Sequence, residues 1–75
     1  MTTLRELPAG SAAKVKAVHG ESAVSRRLME MGVIPGTEIR VVKAAPFGDP
    51  IEIRVLGYSL ALRKKEAATI EITAL

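Results

Sequence analysis

Glycine and proline interrupt this chain at short intervals, and their spacing limits the fold more than any other feature of the sequence. Six glycines and four prolines are spread over 75 residues, and most of them mark a turn or the end of a regular segment. Most of the segments between them alternate polar and apolar residues, as half-buried strands do, while one follows a helical period. The sequence therefore predicts short strands joined by tight turns.

The alternation predicts five strands, at residues 14–18, 37–43, 51–55, 58–62 and around 70–72. On the second of these we expect Ile39 and Val41 to point inward. Gly57 is expected to bend the chain between the third and fourth strands, and residues 63–67 have the composition of a single helical turn. Five short strands in a small chain favour a mainly β fold, a strongly bent barrel, because closure removes exposed strand edges.

One short helix is predicted between the first two strands, over residues 22–31. Its apolar residues recur at helical spacing and form one stripe, made of Val24, Leu28 and Met31. Ser22 is a suitable N-cap, and Gly32 suits the left-handed position that follows a helix. Pro35 and Gly36 then fit the two central positions of a type II turn.

Composition narrows the class of protein. Residues 1–75 are expected to form a single domain, because so short a chain has no room for a second core. The sequence has no cysteine, which excludes disulfides, cysteine-based metal sites and a thiol nucleophile. Charges near the N-terminus and the lack of a run of about 20 apolar residues predict neither a signal peptide nor a membrane span. A cytoplasmic location is expected.

The residues that could carry out catalysis are few and scattered. His19, the single histidine, is expected to be a solvated loop residue, because no nucleophile is placed beside it by the sequence. Glu38 and Glu52 alternate with Arg40 and Arg54, which indicates cross-strand charge pairing rather than acid–base chemistry. No phosphate-binding glycine loop occurs. We expect no enzyme activity and no cofactor.

Metal and nucleic-acid binding also lack a supporting pattern. His19, Glu21 and Asp49 could ligate a divalent ion, but no spacing puts two of them on one face, so no metal site is predicted. The net charge of +3 is modest, with basic clusters at residues 26–27 and 63–65. With Phe47 and Tyr58 as its only aromatic residues, the chain lacks a platform for stacking bases, and no nucleic-acid partner is expected.

Four segments of the sequence resemble the FeoA family, ferrous iron transport protein A. Residues 26–37, RRLMEMGVIPGT, match its RRLxxMGxxPGT segment, and residues 45–50, APFGDP, match its APxGDP loop, with Phe47 where aliphatic residues are usual. Residues 57–67, GYSLALRKKEA, match GYxLxLRxxEA, and the opening LxxLxxG pattern at residues 4–10 also fits. The resemblance covers essentially the whole chain.

The resemblance implies an SH3-like β-barrel with an inserted helix, and a cytoplasmic accessory protein of ferrous iron uptake. The partner it implies is the FeoB membrane transporter, whose cytosolic part carries a GTPase domain. The chain would then contact the membrane only through this transporter. The small protein would assemble or regulate that transporter. Repressors of the DtxR type end in a related SH3-like domain. The alternative function is therefore a soluble metal- or nucleotide-responsive regulator that acts elsewhere, for example on nucleic acid. Self-association through open strand edges is a further expectation.

Protein–protein contact is thus the predicted function, and the candidate residues are those expected to face outward on the helix and on the proline-rich loop. They are Arg26, Arg27, Met29, Glu30, Phe47 and Asp49. Two of them leave alternatives open. Met29 is either a flanking core residue or an adaptable contact at the edge of the helix stripe. Phe47 either folds back as a core plug or stands out as an anchor.

Overall fold

Five strands, two short α-helices and one 3₁₀ turn make up the regular structure in the computed structural model, which describes residues 2–20, 22–47 and 49–75. Their order is a 3₁₀ turn at Leu4–Glu6, β1 (Ala12–Val18), α1 (Ala23–Glu30), β2 (Glu38–Ala44), β3 (Ile51–Val55), β4 (Tyr58–Leu62), α2 (Lys64–Ala67) and β5 (Ile70–Ala74). The mainly β class with one short helix after the first strand is therefore confirmed. No helix among the described residues has the length and apolar character that crossing a bilayer requires.

The strands form one antiparallel sheet in the order β4-β3-β2-β1-β5. In the described part of the chain β4 and β5 form the two edges of this bent sheet and do not pair with each other. Helix α2 lies between these two strands in the chain and packs, together with β5, against the N-terminal 3₁₀ turn. Leu4 from that turn is fully buried and belongs to the core.

The core is built from the inward-facing aliphatic residues of the strands and from one residue of α1. Ile39 and Val41 are buried, as predicted, and Leu28 of α1 is buried with them. Burying a side chain of this size contributes about 1.5–3 kcal/mol to stability. Register shifts in β1 and β2 add local bending, which curves a five-stranded sheet around so small a core.

Two tight turns determine where the surface loops lie. At residues 34–37 the Thr37 N–H donates to the Ile34 carbonyl at 3.1 Å, and Gly36 has a φ of +93°, which fits the predicted type II turn. The loop joining β3 to β4 consists of Leu56 and Gly57, with φ values of +52° and +84°. Two consecutive left-handed residues make a tight hairpin whose twist matches that of the strands.

Candidate partner-binding surfaces

Helix α1 is fixed at its N-terminal end by two serines. The Ser22 hydroxyl accepts from the Ser25 N–H at 3.3 Å, which confirms Ser22 as the N-cap. Ser25 is itself buried, and its hydroxyl donates to the His19 carbonyl at 3.0 Å, just after β1. The buried face of α1 is therefore Ser25 and Leu28. The predicted stripe was wrong in part, because Val24 is exposed on the surface.

The C-terminal end of α1 is fixed by a glycine cap. Gly32 has a φ of +99°; its N–H donates to the Met29 carbonyl at 3.1 Å, and the Val33 N–H donates to the Leu28 carbonyl at 3.0 Å. This pair of bonds is the Schellman motif. Val33 and Leu28 are both fully buried, which completes the apolar contact that accompanies such caps.

The same end of α1 contacts the hairpin between β3 and β4. The Tyr58 hydroxyl donates to the Met31 carbonyl, and the side chain of Leu56 lies against Gly32. Leu56 is nevertheless 68% exposed. A large apolar side chain held in a left-handed turn and left open to solvent is unusual, and such backbone strain persists mainly where it is useful.

We call this region the helix-end surface; its exposed residues are Arg27, Met29, Glu30, Ile34, Leu56 and Tyr58. Met29 is 38% exposed, so it is a surface residue rather than a fully buried one. Arg26 is exposed one position before this group. The sequence analysis missed Leu56. The signal that could have identified it is a leucine before glycine in a hairpin turn, at a position where asparagine is normally preferred.

Phe47 and Asp49 lie on a different part of the molecule. Phe47 is 93% exposed, which resolves its two alternatives in favour of an outward position. Asp49 accepts through Oδ1 from the Lys64 N–H at 3.1 Å and so ties the β2–β3 loop to the start of α2. Gly48, for which the motif predicted a loop position, lies outside the described residues.

The six predicted contact residues therefore do not form one site. The helix-end surface meets the β3–β4 turn, whereas the Phe47 loop enters β3 at Ile51, the other end of that strand. Five residues of strand separate the two ends by about 13 Å. Arg26, Arg27, Met29 and Glu30 belong to the first location, and Phe47 and Asp49 to the second.

The strand charges pair differently from the prediction. Lys14 lies opposite Glu38, and Lys43 lies opposite Glu52 with 3.8 Å between Nζ and Oε1. Arg40 and Arg54 face each other across β2 and β3, so the expected pairing of these arginines with the interleaved glutamates was wrong. The reason is the register, which is set by the turn geometry and a bulge in β2.

The arginine side chains turn away from each other toward backbone carbonyls. Arg40 donates to the Gly10 carbonyl at 3.1 Å and Arg54 to the Gly57 carbonyl at 3.4 Å. Both groups are exposed, so the repulsion between them is reduced by solvent.

His19 is an exposed residue whose Nε2 lies 2.8 Å from Oε1 of Glu71, and Lys16 lies 3.4 Å from the other carboxylate oxygen. The hydrogen bond from His19 is the main cause of the lowered pKa of Glu71, Lys16 adds to it, and partial desolvation opposes it. Within the described residues no group of three His, Asp or Glu side chains is placed to hold a metal ion. Glu21, one of the residues considered as a ligand, lies outside the described residues.

The architecture defines a class of protein, the small SH3-like β-barrel that carries a helix after its first strand. Residues 2–74 match the FeoA domain family. The chain belongs to that family, and the resemblance found in the motifs is confirmed.

A curated relative from Porphyromonas gingivalis (strain ATCC BAA-308 / W83) is an Fe(2+) transport protein A/Fe(2+) transporter FeoB fusion protein. It is 39% identical to this chain over 69 residues, which is 92% of the chain but 8% of the fusion protein. The chain thus spans a small part of that relative's length.

Solved structures support the same fold. FeoA from Chlorobium tepidum is 43% identical with a TM-score of 0.92, over 99% of this chain and 70% of that one. FeoA from Stenotrophomonas maltophilia, solved with zinc and described as an SH3 domain protein, is 36% identical with a TM-score of 0.88, over 97% and 91% of the two chains. A manganese-dependent transcriptional repressor, 17% identical with a TM-score of 0.87 over 99% of this chain and 41% of its own, shares the fold alone.

Proposed function

We propose that this protein binds the cytoplasmic side of a FeoB-type ferrous iron transporter and assembles or regulates it, through the helix-end surface. The observation that carries the proposal is the fusion relative, in which a domain 39% identical to this chain is part of the same polypeptide as a FeoB transporter. Domains joined covalently in one organism commonly correspond to separate chains that associate in another. The cytoplasmic location of this chain is part of the same proposal.

The helix-end surface has the composition of a docking site. Met29, Ile34 and Leu56 supply exposed apolar area, and Arg27 and Glu30 add exposed charges of both signs on the last turn of α1. Interfaces commonly combine an apolar centre with a polar rim, and methionine adapts readily to the shape of a partner. Because Leu56 protrudes at a turn rather than from a sheet face, it is suited to enter a pocket as an anchor.

Contact through apolar groups predicts a particular response to salt. Screening by salt weakens exposed charge pairs but leaves the burial of apolar area intact. Association through the helix-end surface should therefore survive physiological ionic strength. Binding that depends mainly on neutralising phosphates would instead fall steeply between about 50 and 200 mM salt.

The test is retention of the tagged transporter by this chain after solubilisation in detergent at physiological salt, with and without GTP. We expect the wild-type chain to be retained and the Leu56→Asp and Arg27→Glu variants to lose most of that retention. Lys65→Glu, an equal charge reversal on α2, is the matched control and should behave as wild type. A dependence on GTP would identify a regulator rather than a scaffold.

Two results would contradict the proposal. One is the absence of retention by the wild-type chain with and without nucleotide. The other is normal retention by both helix-end variants when their folding, measured by circular dichroism, is unchanged. The second result would leave the transporter as partner and remove this surface as the contact.

A further inference from the structure

Cationic side chains from two distant parts of the sequence line one cleft at the loop end of the barrel. Arg5 comes from the N-terminal 3₁₀ turn, and Arg63, Lys64 and Lys65 come from the start of α2, with Asp49 of the β2–β3 loop between them. The cleft has a volume of about 680 Å³. We call it the cationic cleft; only its α2 part is visible as a cluster in the sequence.

The net charge of the chain is concentrated here. Four of the eleven lysines and arginines and one of the eight acidic residues line the cationic cleft. Seven basic and seven acidic residues are left for the rest of the chain, which is therefore neutral in sum. Most of the formal charge of +3 thus lies at this cleft, with Glu66 beside the lining as a further negative charge, and such a focus attracts anions from a distance of about a Debye length.

The carboxylates near the cleft do not neutralise it through ion pairs. Asp49 accepts from the Lys64 N–H at 3.1 Å, and Glu66 accepts from the Arg63 N–H at 2.8 Å. Both are therefore engaged with backbone groups. In the part of the chain that the structure describes, the ion pairs involve Lys16, His19 and Lys43 and none of the four cleft cations.

An exposed aromatic side chain lies on the loop that also supplies Asp49 to the cleft. Phe47 is 93% exposed, and the hydrogen bond between Asp49 and Lys64 attaches its loop to the cleft two residues further along. Pro46 stiffens the loop before it. An exposed phenylalanine beside clustered lysines and arginines is the combination by which peripheral proteins bind a lipid surface, because the cations attract headgroup phosphates while the ring enters the interface.

We propose that this end of the barrel docks on anionic phospholipid headgroups of a bilayer, with the cationic cleft facing the phosphates and Phe47 entering the interface. The inference goes beyond the transporter contact and uses the other end of β3. It also differs from the expectation, drawn from the sequence, that the chain contacts the membrane only through the transporter. A protein held beside a membrane transporter lies within reach of the lipid surface, so both contacts can form together.

Other anionic partners explain the geometry less well. A single-stranded nucleic acid needs aromatic rings inside a basic groove, on which bases stack, whereas Phe47 protrudes beside the cleft instead of lining it. An acidic protein segment would satisfy the cations but leaves the exposed ring without a role. A bilayer binds both the clustered cations and the exposed ring. For this reason a lipid surface is favoured over a nucleic acid or an acidic protein segment.

Co-sedimentation with lipid vesicles tests the proposal without the transporter. The vesicles are phosphatidylcholine alone, or an equimolar mixture of phosphatidylcholine and phosphatidylglycerol, at about 0.1 M and about 1 M salt, where the Debye length is about 10 and 3 Å. We expect binding to the anionic vesicles at low salt, much weaker binding at high salt, and little binding to phosphatidylcholine.

Three variants separate the contributions. Arg5→Gln with Lys65→Gln should weaken binding at low salt about 25-fold, since each cation near an anionic surface contributes about fivefold. Arg26→Gln with Arg27→Gln removes the same charge from α1 and should leave binding unchanged. Phe47→Ala should weaken binding several-fold at both salt concentrations, because the contribution of the ring is apolar and is not screened.

The proposal is overturned if the wild-type chain does not bind anionic vesicles, or if the α1 pair weakens binding as much as the cleft pair does. It is also overturned if the cleft pair abolishes retention of the detergent-solubilised transporter, because the cationic cleft would then serve an acidic protein segment. Loss of transporter retention by the helix-end variants alone concerns the other surface. Each proposal can therefore fail without the other.

Discussion

Gly32 lies directly against the side chain of Leu56, and this contact joins the end of α1 to the turn between β3 and β4. A methyl group at position 32 would overlap Leu56, whose Cγ would lie only 3.2 Å from it. Gly32 also has a φ of +99°, a conformation that residues with a Cβ rarely adopt. The backbone conformation is the main requirement for glycine here, and the contact with the exposed Leu56 side chain adds a smaller one.

Gly32→Ala is expected to destabilise the protein more than Gly36→Ala. Gly36 has a φ of +93° but nothing within 4 Å of an added Cβ, so its replacement should cost only the strain of a left-handed residue, about 1–2 kcal/mol. At position 32 the displacement of Leu56 is added. Denaturant unfolding measures both, and equal losses would show that the contact with Leu56 is unimportant.

The double variant Gly32→Ala with Leu56→Ala supplies the control. Removing the leucine should abolish the extra loss and leave only the backbone strain. In Gly32→Ala alone, the displacement of Leu56 disturbs the helix-end surface. This variant should therefore also retain less of the transporter than the wild-type chain does.

Tyr58→Phe should destabilise the protein by about 0.5–1.5 kcal/mol. The variant keeps the ring and removes the hydroxyl that donates to the Met31 carbonyl, one of the carbonyls left without a partner inside α1. Thermal unfolding measures the loss, with Ser59→Ala on the exposed face of the same strand as control. A Tyr58→Phe variant as stable as wild type would mean that water replaces the hydroxyl at no cost.

Stability is expected to fall in acid through Glu71. Its pKa is lowered from an ordinary value near 4.5, chiefly by the hydrogen bond from His19. Since the folded pKa is the lower one, this carboxylate stabilises the folded state above the unfolded pKa, and the contribution is lost as the pH falls through the folded pKa. Melting temperatures of wild type and Glu71→Gln should therefore differ at neutral pH and converge in acid, once the pH has fallen below the lowered pKa of Glu71. A difference that is constant with pH would exclude this origin.

Arg54→Glu is expected to stabilise the protein. Arg54 lies directly opposite Arg40 on the neighbouring strand, and replacing a like-charge pair by an opposite pair contributes about 0.2–1 kcal/mol. The gain in stability should shrink in high salt. Lys14→Glu is the reverse experiment: it would place a second carboxylate opposite Glu38 and should destabilise the protein. Urea unfolding at low and high salt measures the stability of both variants.

The fold was largely predictable because the strands carry their own signal. The bounds of β3 and β4 match the alternation residue for residue, since period two is unambiguous where each strand is short and one face is buried. Ser22 and Gly32 were likewise identified by the chemistry of helix ends. The alternation did not indicate which strands would form the unpaired edges of the sheet, β4 and β5.

The candidate site was less predictable, because it depends on contacts distant in sequence. A bulge near Val42 shifts the register so that Lys43 meets Glu52 while Arg40 meets Arg54, and a single sequence does not encode such a shift visibly. The separation of α1 from the Phe47 loop and the approach of Arg5 to α2 are also results of folding. Leu56 was overlooked because its left-handed conformation is set by the hairpin and not by its own preference.

Anchorage of α1 at both ends has a thermodynamic consequence for recognition. An isolated segment of eight residues would be mostly unfolded in water, and a partner that bound it would have to order it. In this fold the Ser25 hydroxyl holds the first turn to the end of β1, and Tyr58 and the Gly32 cap hold the last turn to the hairpin. The entropy of ordering the helix is lost during folding, before any partner arrives, so a surface of only a few side chains can still bind with useful affinity.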